Sequence, residues 1–294
     1  MPLISVITPS YNRAHLLIQV GESLARQTYK NFEWLIVDDG STDETNCAIG
    51  YIKNLYKDFF PIIYISKENG GKHTAINRGV EHARGELTLI LDSDDELPAD
   101  ALDIIIKNYD DICHDTSFGG VCGMMTHRNG ERITQWDSHL GNCLAVNGLD
   151  LRYKLRVTGD MCEVFRTEVL RKFPFPEIKG EKFCPEALVW NRIASKYKLR
   201  CFNQVIYYRD YLEGGLTDKI VKIRMDSPRA SMMTYQELTK YDIPFKDKLK
   251  AAVNYWRFRF CAKGDNTPSI DYKWYFAIPL GYLMHLKDIK TTKL

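Results

Sequence analysis

Four acidic side chains are crowded into residues 87–97, which read LTLILDSDDEL. Asp92, Asp94, Asp95 and Glu96 directly follow five apolar or β-branched residues, a run typical of a strand that is buried on both faces. Carboxylates this close repel one another unless a proton or a cation relieves the repulsion. Hard divalent ions such as Mg²⁺ and Mn²⁺ take oxygen ligands, so the segment predicts a metal site. The simpler interpretation is a solvated turn that caps the following helix.

Three more polar segments each follow a predicted strand: PSYNR at 9–13, DDGSTD at 38–43 and ENGGK at 68–72. The Gly-Gly-Lys turn opens a predicted helix, where backbone N–H groups bind phosphate well and Lys72 adds a positive charge. Taken singly, each segment is equally consistent with an ordinary turn, because Asp, Gly and Ser favour turns.

The order of the elements decides how these segments relate to one another. Strands alternate with helices through the first hundred residues, which predicts an α/β fold with a Rossmann-like, mostly parallel sheet flanked by helices. Ligands bind such sheets beyond the carboxyl ends of the strands, at a topological switch point. We therefore expect the four polar segments to gather on one edge. Further strands are predicted at 118–126, 133–136, 159–166 and 201–208, and a helix at 186–196.

Composition narrows the class of protein. Charged residues make up 27% and hydrophobic ones 45%, which are ordinary globular values, and the formal net charge of +2 gives no reason to expect nucleic-acid binding. The eight cysteines lack zinc-like spacing and are interpreted as reduced thiols, which favours a cytoplasmic protein. The amino terminus lacks the features of a signal peptide, and the longest apolar stretch is too short to cross a bilayer.

The residues after 220 form a predicted helical extension that is basic and rich in aromatics. Two interpretations stay open for residues 245–294. The aromatics pack on the rest of the chain, or the region makes peripheral contact with an anionic membrane surface.

Taken in order, the motifs resemble those of a known family. TPSYNR at 8–13, DDGSTD at 38–43, NGGKHTAINRGV at 69–80 and DSDD at 92–95 are similar to those of family-2-type inverting glycosyltransferases. These proteins have the GT-A fold of the nucleotide-diphospho-sugar transferase superfamily. The resemblance implies a GT-A domain over 1–220, with a nucleotide-sugar half of about 1–112 and an acceptor half of about 113–220. Residues 221–294 would be the helical extension.

The resemblance also implies roles for individual residues around a donor molecule. A loop at 211–217 would close over the diphosphate. Pro9, Tyr11 and Arg13 would line the nucleoside pocket, Asp39 would contact the base, and Asn77 would lie near the nucleoside or ribose. Gly71 and Lys72 would lie near the diphosphate, and Asp92 would contact the nucleotide. Asp94 would bind the metal, and Asp95 would orient the donor sugar.

An inverting transfer also needs a general base, which takes the proton of the acceptor hydroxyl. The family often places a Glu-Asp pair at the start of a helix in the second half, where this sequence has Pro185 and Glu186. Glu186 is therefore the candidate base, although a carboxylate at this position is also favoured by the helix dipole alone. Glu181 and Asp160 remain alternatives.

The expected function is metal-dependent, inverting glycosyl transfer with Mn²⁺ or Mg²⁺. The donor would be a nucleotide-diphospho-sugar, UDP-linked by expectation, and the acceptor a hydroxyl of a glycan or lipid-linked molecule in surface polysaccharide synthesis. Two alternatives stay open. A sugar-nucleotidyltransferase would carry a glycine- and arginine-rich loop where PSYNR stands, and a non-catalytic nucleotide-sugar-binding protein would lack the base. The sequence indicates neither the sugar nor the oligomeric state.

Overall fold

The computed structural model describes residues 3–209, 219–264 and 267–292. The chain divides into two compact units. The first consists of the described residues of Met1–Gly148, Val157–Pro174 and Lys196–Asp210. The second consists of those of Leu149–Arg156, Phe175–Ser195 and Tyr211–Leu294. The loop predicted at 211–217 lies outside the described residues.

One sheet forms the centre of the first unit. Its strands are β1 (Ile4–Ser10), β2 (Phe32–Asp38), β3 (Ile62–Ser66), β4 (Leu87–Ile90), β5 (Phe118–Thr126), β6 (Cys143–Val146), β7 (Met161–Arg166) and β8 (Lys198–Tyr208). They lie in the order β3-β2-β1-β4-β7-β5-β8-β6. β1 to β4 pair in parallel, and β7 and β6 run opposite to the other six strands. The predicted α/β fold with a mostly parallel sheet is confirmed.

Helices cover the sheet because its strands are apolar on both faces. They are α1 (Ala14–Ala25), α2 (Thr45–Tyr56), α3 (Lys72–His82), α4 (Ala101–Asp110) and α5 (Thr167–Lys172). All seven residues of β1 and all seven of β2 are buried. Leu17, Val20 and Leu24 form the buried stripe of α1, at the spacing of a helix that faces a core. One continuous apolar core therefore fixes the strand ends that carry the polar segments.

The strand predicted at 133–136 is wrong. These residues make only an isolated bridge, between Gln135 and Thr158, while β6 pairs with β8. The reason lies in the side chain of Thr134. Its hydroxyl accepts the N–H of Met125 at 2.9 Å and donates to the backbone carbonyl of Asp160, so the segment crosses between two strands instead of lying along one.

The second unit is helical, which confirms the predicted helical carboxyl-terminal region. Its helices are α6 (Glu186–Ala194), α7 (Ile220–Asp226), α8 (Pro228–Leu238), α9 (Phe245–Arg259) and α10 (Ile278–Thr292), with a π-helical turn at Asp150–Lys154 and a 3₁₀ helix at Tyr272–Ala277. Two apolar clusters hold these elements together. Among the described residues, no helix is long and apolar enough to cross a membrane.

Candidate active site

The sheet order creates a switch point between β1 and β4. The chain builds β1, β2 and β3 outward in one direction and then returns to place β4 on the other side of β1. The parallel ladder continues past the end of β4, where the N–H of Leu91 donates to the carbonyl of Ile7 at 2.9 Å. The segments that follow the two strands then meet, since Arg13 Nη1 lies 2.8 Å from Asp94 Oδ2. The predicted gathering of polar segments is confirmed for this pair.

The segments after β1 and β2 are joined by reciprocal hydrogen bonds. The N–H of Asn12 donates to Ser41 Oγ at 2.8 Å, and Asn12 Oδ1 accepts the N–H of Thr42 at 2.8 Å. Asn12 has a φ of 52°, a left-handed conformation that asparagine adopts more readily than most residues. The carbonyl of Ser10 also accepts the N–H of Asp39 at 2.8 Å. These two segments therefore form one hydrogen-bonded surface rather than separate loops.

Asp39 organises the glycine turn. Its Oδ1 accepts from Lys67 Nζ at 2.7 Å and from the N–H of Gly70 at 2.9 Å. Its Oδ2 accepts from the Asn69 amide at 3.1 Å and from the N–H of Gly71 at 2.7 Å. A carboxylate offers about four acceptor positions, so these donors fill them. Gly71 has a φ of 98°, which a side chain at this position would disfavour.

Lys72 begins α3 and neutralises the first residue of the acid cluster. Its Nζ lies 2.7 Å from Asp92 Oδ1 and 2.8 Å from Oδ2. Burial by itself would raise the pKa of Asp92, but the positive charges of Lys72, Arg209 and Arg13 outweigh burial and hold this pKa below its ordinary value. Asp92 is therefore an anion with three positively charged side chains near it.

Tyr207, at the end of β8, ties two members of the acid cluster together. Its hydroxyl donates to Asp95 Oδ2 at 2.7 Å and accepts the N–H of Asp92 at 3.0 Å. Burial and the negative charges of Asp92 and Asp94 raise the pKa of Asp95 to about 8, against the opposing effect of the Tyr207 hydrogen bond. Removing charge repulsion around Asp95 would therefore favour its ionised form.

The three aspartates can act as one cation site. One carboxylate oxygen each of Asp92, Asp94 and Asp95 lies within 4.8 Å of the others. All the possible ligand atoms are carboxylate oxygens, which hard divalent cations prefer. A bound positive charge would also lower the raised pKa of Asp95. Arg13 occupies one oxygen of Asp94, so a cation would compete with its guanidinium. The fourth acid, Glu96, is instead paired with Arg26 and Arg128.

The remaining predicted residues of the first unit differ in exposure. Pro9 is buried at the end of β1, and Tyr11 is 47% exposed just beyond it. Asn77 is half-buried in the second turn of α3. Among the sequence alternatives for the base, Asp160 pairs with Arg209, whose Nη1 lies 2.5 Å from Asp160 Oδ2.

Two carboxylates proposed as a base belong to the second unit. Glu186 is the first residue of α6 and is half-buried. Glu181 has a clear structural role, because its two oxygens accept the N–H groups of Arg229 and Ala230 at 2.8 and 2.9 Å, at the start of α8. This is helix capping, with a carboxylate at the positive end of the helix dipole.

Sequence reasoning missed Lys67 and Tyr207. Lys67 had a usable signal, since it is a cation directly after β3 and therefore on the predicted edge. Tyr207 had no signal in the sequence, because 112 residues separate it from Asp95. Its neighbour Tyr208 has the same side chain, so residue type did not distinguish the two.

Comparison with known sequences places these motifs in a wider group. Over 104 residues the chain is 42% identical to an uncharacterized glycosyltransferase of Rickettsia felis, a match that covers 35% of this chain and 17% of that relative. The chain thus spans less than a fifth of that relative's length. It is 26% identical over 227 residues to the GalNAc(5)-diNAcBac-PP-undecaprenol beta-1,3-glucosyltransferase of Campylobacter jejuni, which covers 74% of this chain and 68% of the relative.

Solved structures share the fold. S. aureus TarS 1-349 in complex with UDP superposes with a TM-score of 0.64 at 19% identity, covering 99% of this chain and 88% of that one. The mannosyltransferase PcManGT from Pyrobaculum calidifontis, in complex with GDP-Man and Mn²⁺, gives a TM-score of 0.60 at 20% identity, covering 98% and 75%. The fold is therefore the GT-A fold. A family model described as glycosyl transferase family 2 matches residues 5–173, more than half of the chain. The chain belongs to glycosyl transferase family 2.

Proposed function

We propose that the chain transfers a sugar, with inversion, from a nucleotide-diphospho-sugar to a hydroxyl of a glycan or lipid-linked acceptor. The observation that carries the proposal is the grouping of Asp92, Asp94 and Asp95 at the switch point, with Lys72 and Arg13 beside them. Family membership supports transfer rather than nucleotidyl chemistry. The complexes of TarS with UDP and of PcManGT with GDP-Man support a nucleotide-linked donor.

The donor diphosphate would lie between the glycine turn and the acid cluster. Lys72 would exchange part of its ion pair with Asp92 for the diphosphate oxygens, and the N-terminus of α3, which begins at Lys72, would favour the same negative charge. Asp94, with Asp92 and Asp95 beside it, would hold Mn²⁺ or Mg²⁺, which supplies Lewis-acid stabilisation of the leaving diphosphate when bound. The Mn²⁺ in the PcManGT complex supports a divalent ion of this kind.

The nucleoside would bind on the surface formed by Pro9, Tyr11, Arg13 and Asn77. UDP is the favoured nucleotide because TarS is a structural neighbour seen with UDP. Asp39 would contact the base by exchanging one of its four donors for a base N–H. The Asn69 amide, at 3.1 Å, is the longest of these four hydrogen bonds and the easiest to exchange.

Glu186 is the proposed general base, and Asp95 would orient the donor sugar. The base must accept a proton as the acceptor oxygen attacks C1 and the bond from C1 to the phosphate oxygen breaks. Glu181 is less suited to this role because both of its oxygens already accept backbone N–H groups. Asp160 is less suited because Arg209 holds it as an ion pair.

The acceptor is proposed to be lipid-linked, in surface polysaccharide synthesis. The support is the C. jejuni relative, whose name specifies an undecaprenol-linked glycan.

A thermal-shift screen tests donor binding. UDP-sugars and GDP-sugars would be added with and without Mn²⁺, since a ligand present at about 100 times its Kd stabilises the native state by about 2.7 kcal/mol. We expect stabilisation by a UDP-sugar that increases with Mn²⁺. Asp94→Ala should abolish the Mn²⁺-dependent part and lower transfer by about 10²–10³-fold. The surface variant Asp58→Ala is the matched control, and an Asp94→Ala protein that behaves like it would contradict the metal assignment.

The base requires a separate test. Glu186→Gln should keep donor binding and lose most of the transfer rate, about 10²–10⁴-fold for a general base. Near-normal transfer by Glu186→Gln would place the base elsewhere. If the wild-type protein binds a donor but transfers to no acceptor, the non-catalytic alternative replaces the proposal.

A further inference from the structure

The 3₁₀ helix at Tyr272–Ala277 and α10 together present an outward apolar stripe. Most of its members recur every three or four residues and so share one face, while Tyr282 lies at the margin of that face with its ring 5.1 Å from that of Phe260. Tyr272 is 83% exposed and Leu283 is 62% exposed. A continuous group of this kind marks an interaction surface more often than single exposed apolar residues do. The stripe consists of Tyr272, Tyr275, Phe276, Leu280, Tyr282, Leu283 and Leu286.

The stripe has a fixed orientation because the opposite face of α10 is packed on α9. A Cβ at Gly281 would lie 2.4 Å from the Cβ of Trp256, so glycine allows the two helices to approach closely. Arg257 on α9 forms a two-point ion pair with Asp288 on α10, at 2.5 and 2.7 Å. Trp274 and Ala277, between the exposed positions, are buried in the apolar cluster under the stripe.

The charges around the stripe favour an anionic partner. Asp288 is the one acid in the sequence of α10, and it is turned inward and neutralised by Arg257. Lys287 and Lys290 are exposed at the carboxyl-terminal end of the helix. At the other end the exposed acid Asp271 is already paired with Lys273 at 3.2 Å. The surface around the stripe is therefore apolar with a cationic end.

The same facts decide which helix within residues 245–294 could carry this contact. α9 lies in that region too and has basic and aromatic residues of its own, namely Lys248, Lys250, Arg257, Arg259, Tyr255, Trp256, Phe258 and Phe260. In the structure Tyr255 and Phe258 are buried in the core of the second unit, and Arg257 is committed to Asp288. α9 is thus the layer on which α10 packs.

We propose that this stripe binds an anionic lipid surface, with α10 lying in the plane of the interface. Three tyrosines in the stripe suit the interface, because an aromatic ring with a polar end is favoured at headgroup depth. A second copy of the chain is a poorer occupant, since the exposed lysines would find no unpaired acid on an identical stripe. Lipid binding would bring the enzyme close to its acceptor only if that acceptor is lipid-linked and lies in the same bilayer, so this part of the inference rests on the proposed function.

Vesicle flotation with the full chain tests the proposal. Two vesicle types would be compared, phosphatidylcholine alone and phosphatidylcholine with phosphatidylglycerol. We expect binding to the anionic vesicles that weakens with salt. The triple variant Phe276→Ser/Leu280→Ser/Leu283→Ser should lower the partition coefficient about a hundredfold, since three apolar side chains no longer enter the interface.

Two further variants complete the design. Lys287→Glu/Lys290→Glu should lower binding at least about 25-fold, because each of the two lysines near an anionic surface contributes a factor of about five. The matched control, Tyr51→Ser/Leu55→Ser/Phe59→Ser, removes side chains of similar exposure (57%, 43% and 52%) from the first unit and should bind like the wild type.

Several outcomes would overturn the inference. One is a wild-type chain that fails to float with anionic vesicles, and a second is a control variant that weakens binding as much as the stripe variant does. The third such outcome is a wild-type dimer that does not bind vesicles, together with a stripe variant that is monomeric. A thermal shift with a UDP-sugar and Mn²⁺ is measured on the same proteins. Flotation without donor binding would overturn the proposed function alone, and donor binding without flotation would overturn the lipid surface alone.

Discussion

Tyr207→Phe removes a single oxygen that connects two members of the acid cluster. That hydroxyl donates to Asp95 Oδ2 at 2.7 Å and accepts the N–H of Asp92 at 3.0 Å, and the side chain is only 3% exposed. The phenylalanine ring would fill the same space. The Asp95 carboxyl and the Asp92 N–H would each lose a partner in a buried environment.

The size of the effect follows from those two losses. A buried polar group left without its partner costs about 1–3 kcal/mol, so two such groups, with some relaxation, should lower the free energy of unfolding by about 2–4 kcal/mol. For a unit of this size, each kcal/mol shifts the melting temperature by about 2–4 °C. Because the hydroxyl also positions Asp92 and Asp95, Mn²⁺ affinity should fall about 10–100-fold, as for other groups that orient metal ligands.

Urea unfolding and calorimetric Mn²⁺ titration measure the two effects. Tyr208→Phe is the matched control, since it deletes the same atom one residue further along β8 and leaves the backbone bonds of Tyr208 to Glu96 in place. A Tyr207→Phe protein that unfolds within about 0.5 kcal/mol of the wild type, with Mn²⁺ affinity within about twofold, would refute the reasoning. The hydroxyl would then have no structural role in the cluster.

Three further substitutions have defined outcomes. Arg13→Gln should tighten Mn²⁺ binding in the absence of nucleotide by up to about fivefold, because a partly exposed ion pair of about 0.2–1 kcal/mol no longer competes for Asp94; weaker binding in calorimetry would contradict this. Glu181→Ala should lower the free energy of unfolding in urea by about 1–2 kcal/mol through loss of the cap on α8, whereas no change would exclude capping as its role. Asp288→Asn should destabilise the second unit by about 3–5 kcal/mol, since it leaves the largely buried Arg257 without its counter-charge; a melting curve equal to that of the wild type would mean that water screens the pair.

The edge of the sheet where the site lies was predictable because it depends on chain direction and local periodicity. Runs such as those of β1 and β2 are mostly apolar, so they indicate buried strands, and parallel strands end on the same side. The contact of Arg13 with Asp94 follows from that rule together with the switch point. Family resemblance then suggested roles for residues that topology had already grouped.

Other features depend on partners distant in sequence. Residues 133–136 are predicted as a strand, but the hydroxyl of Thr134 binds two backbone groups at once and β6 takes the place beside β8. Asp39 has the sequence context of a base-contacting carboxylate, yet the fold surrounds it with four donors from the turn that follows β3. A pattern of residue types does not specify how many donors converge on one oxygen.

The sequence by itself determined the α/β order, the common edge for the four polar segments and an acid cluster suited to a hard cation. Only the tertiary structure decided which side chains complete that cluster, because Tyr207 reaches Asp95 across 112 residues of chain. It also decided which aromatic helix faces outward. α9 and α10 both carry aromatic and basic residues, but Gly281 and Asp288 turn one face of α10 against α9 and leave the other face exposed. The physical reason is that burial depends on the packing partner, which local sequence does not specify.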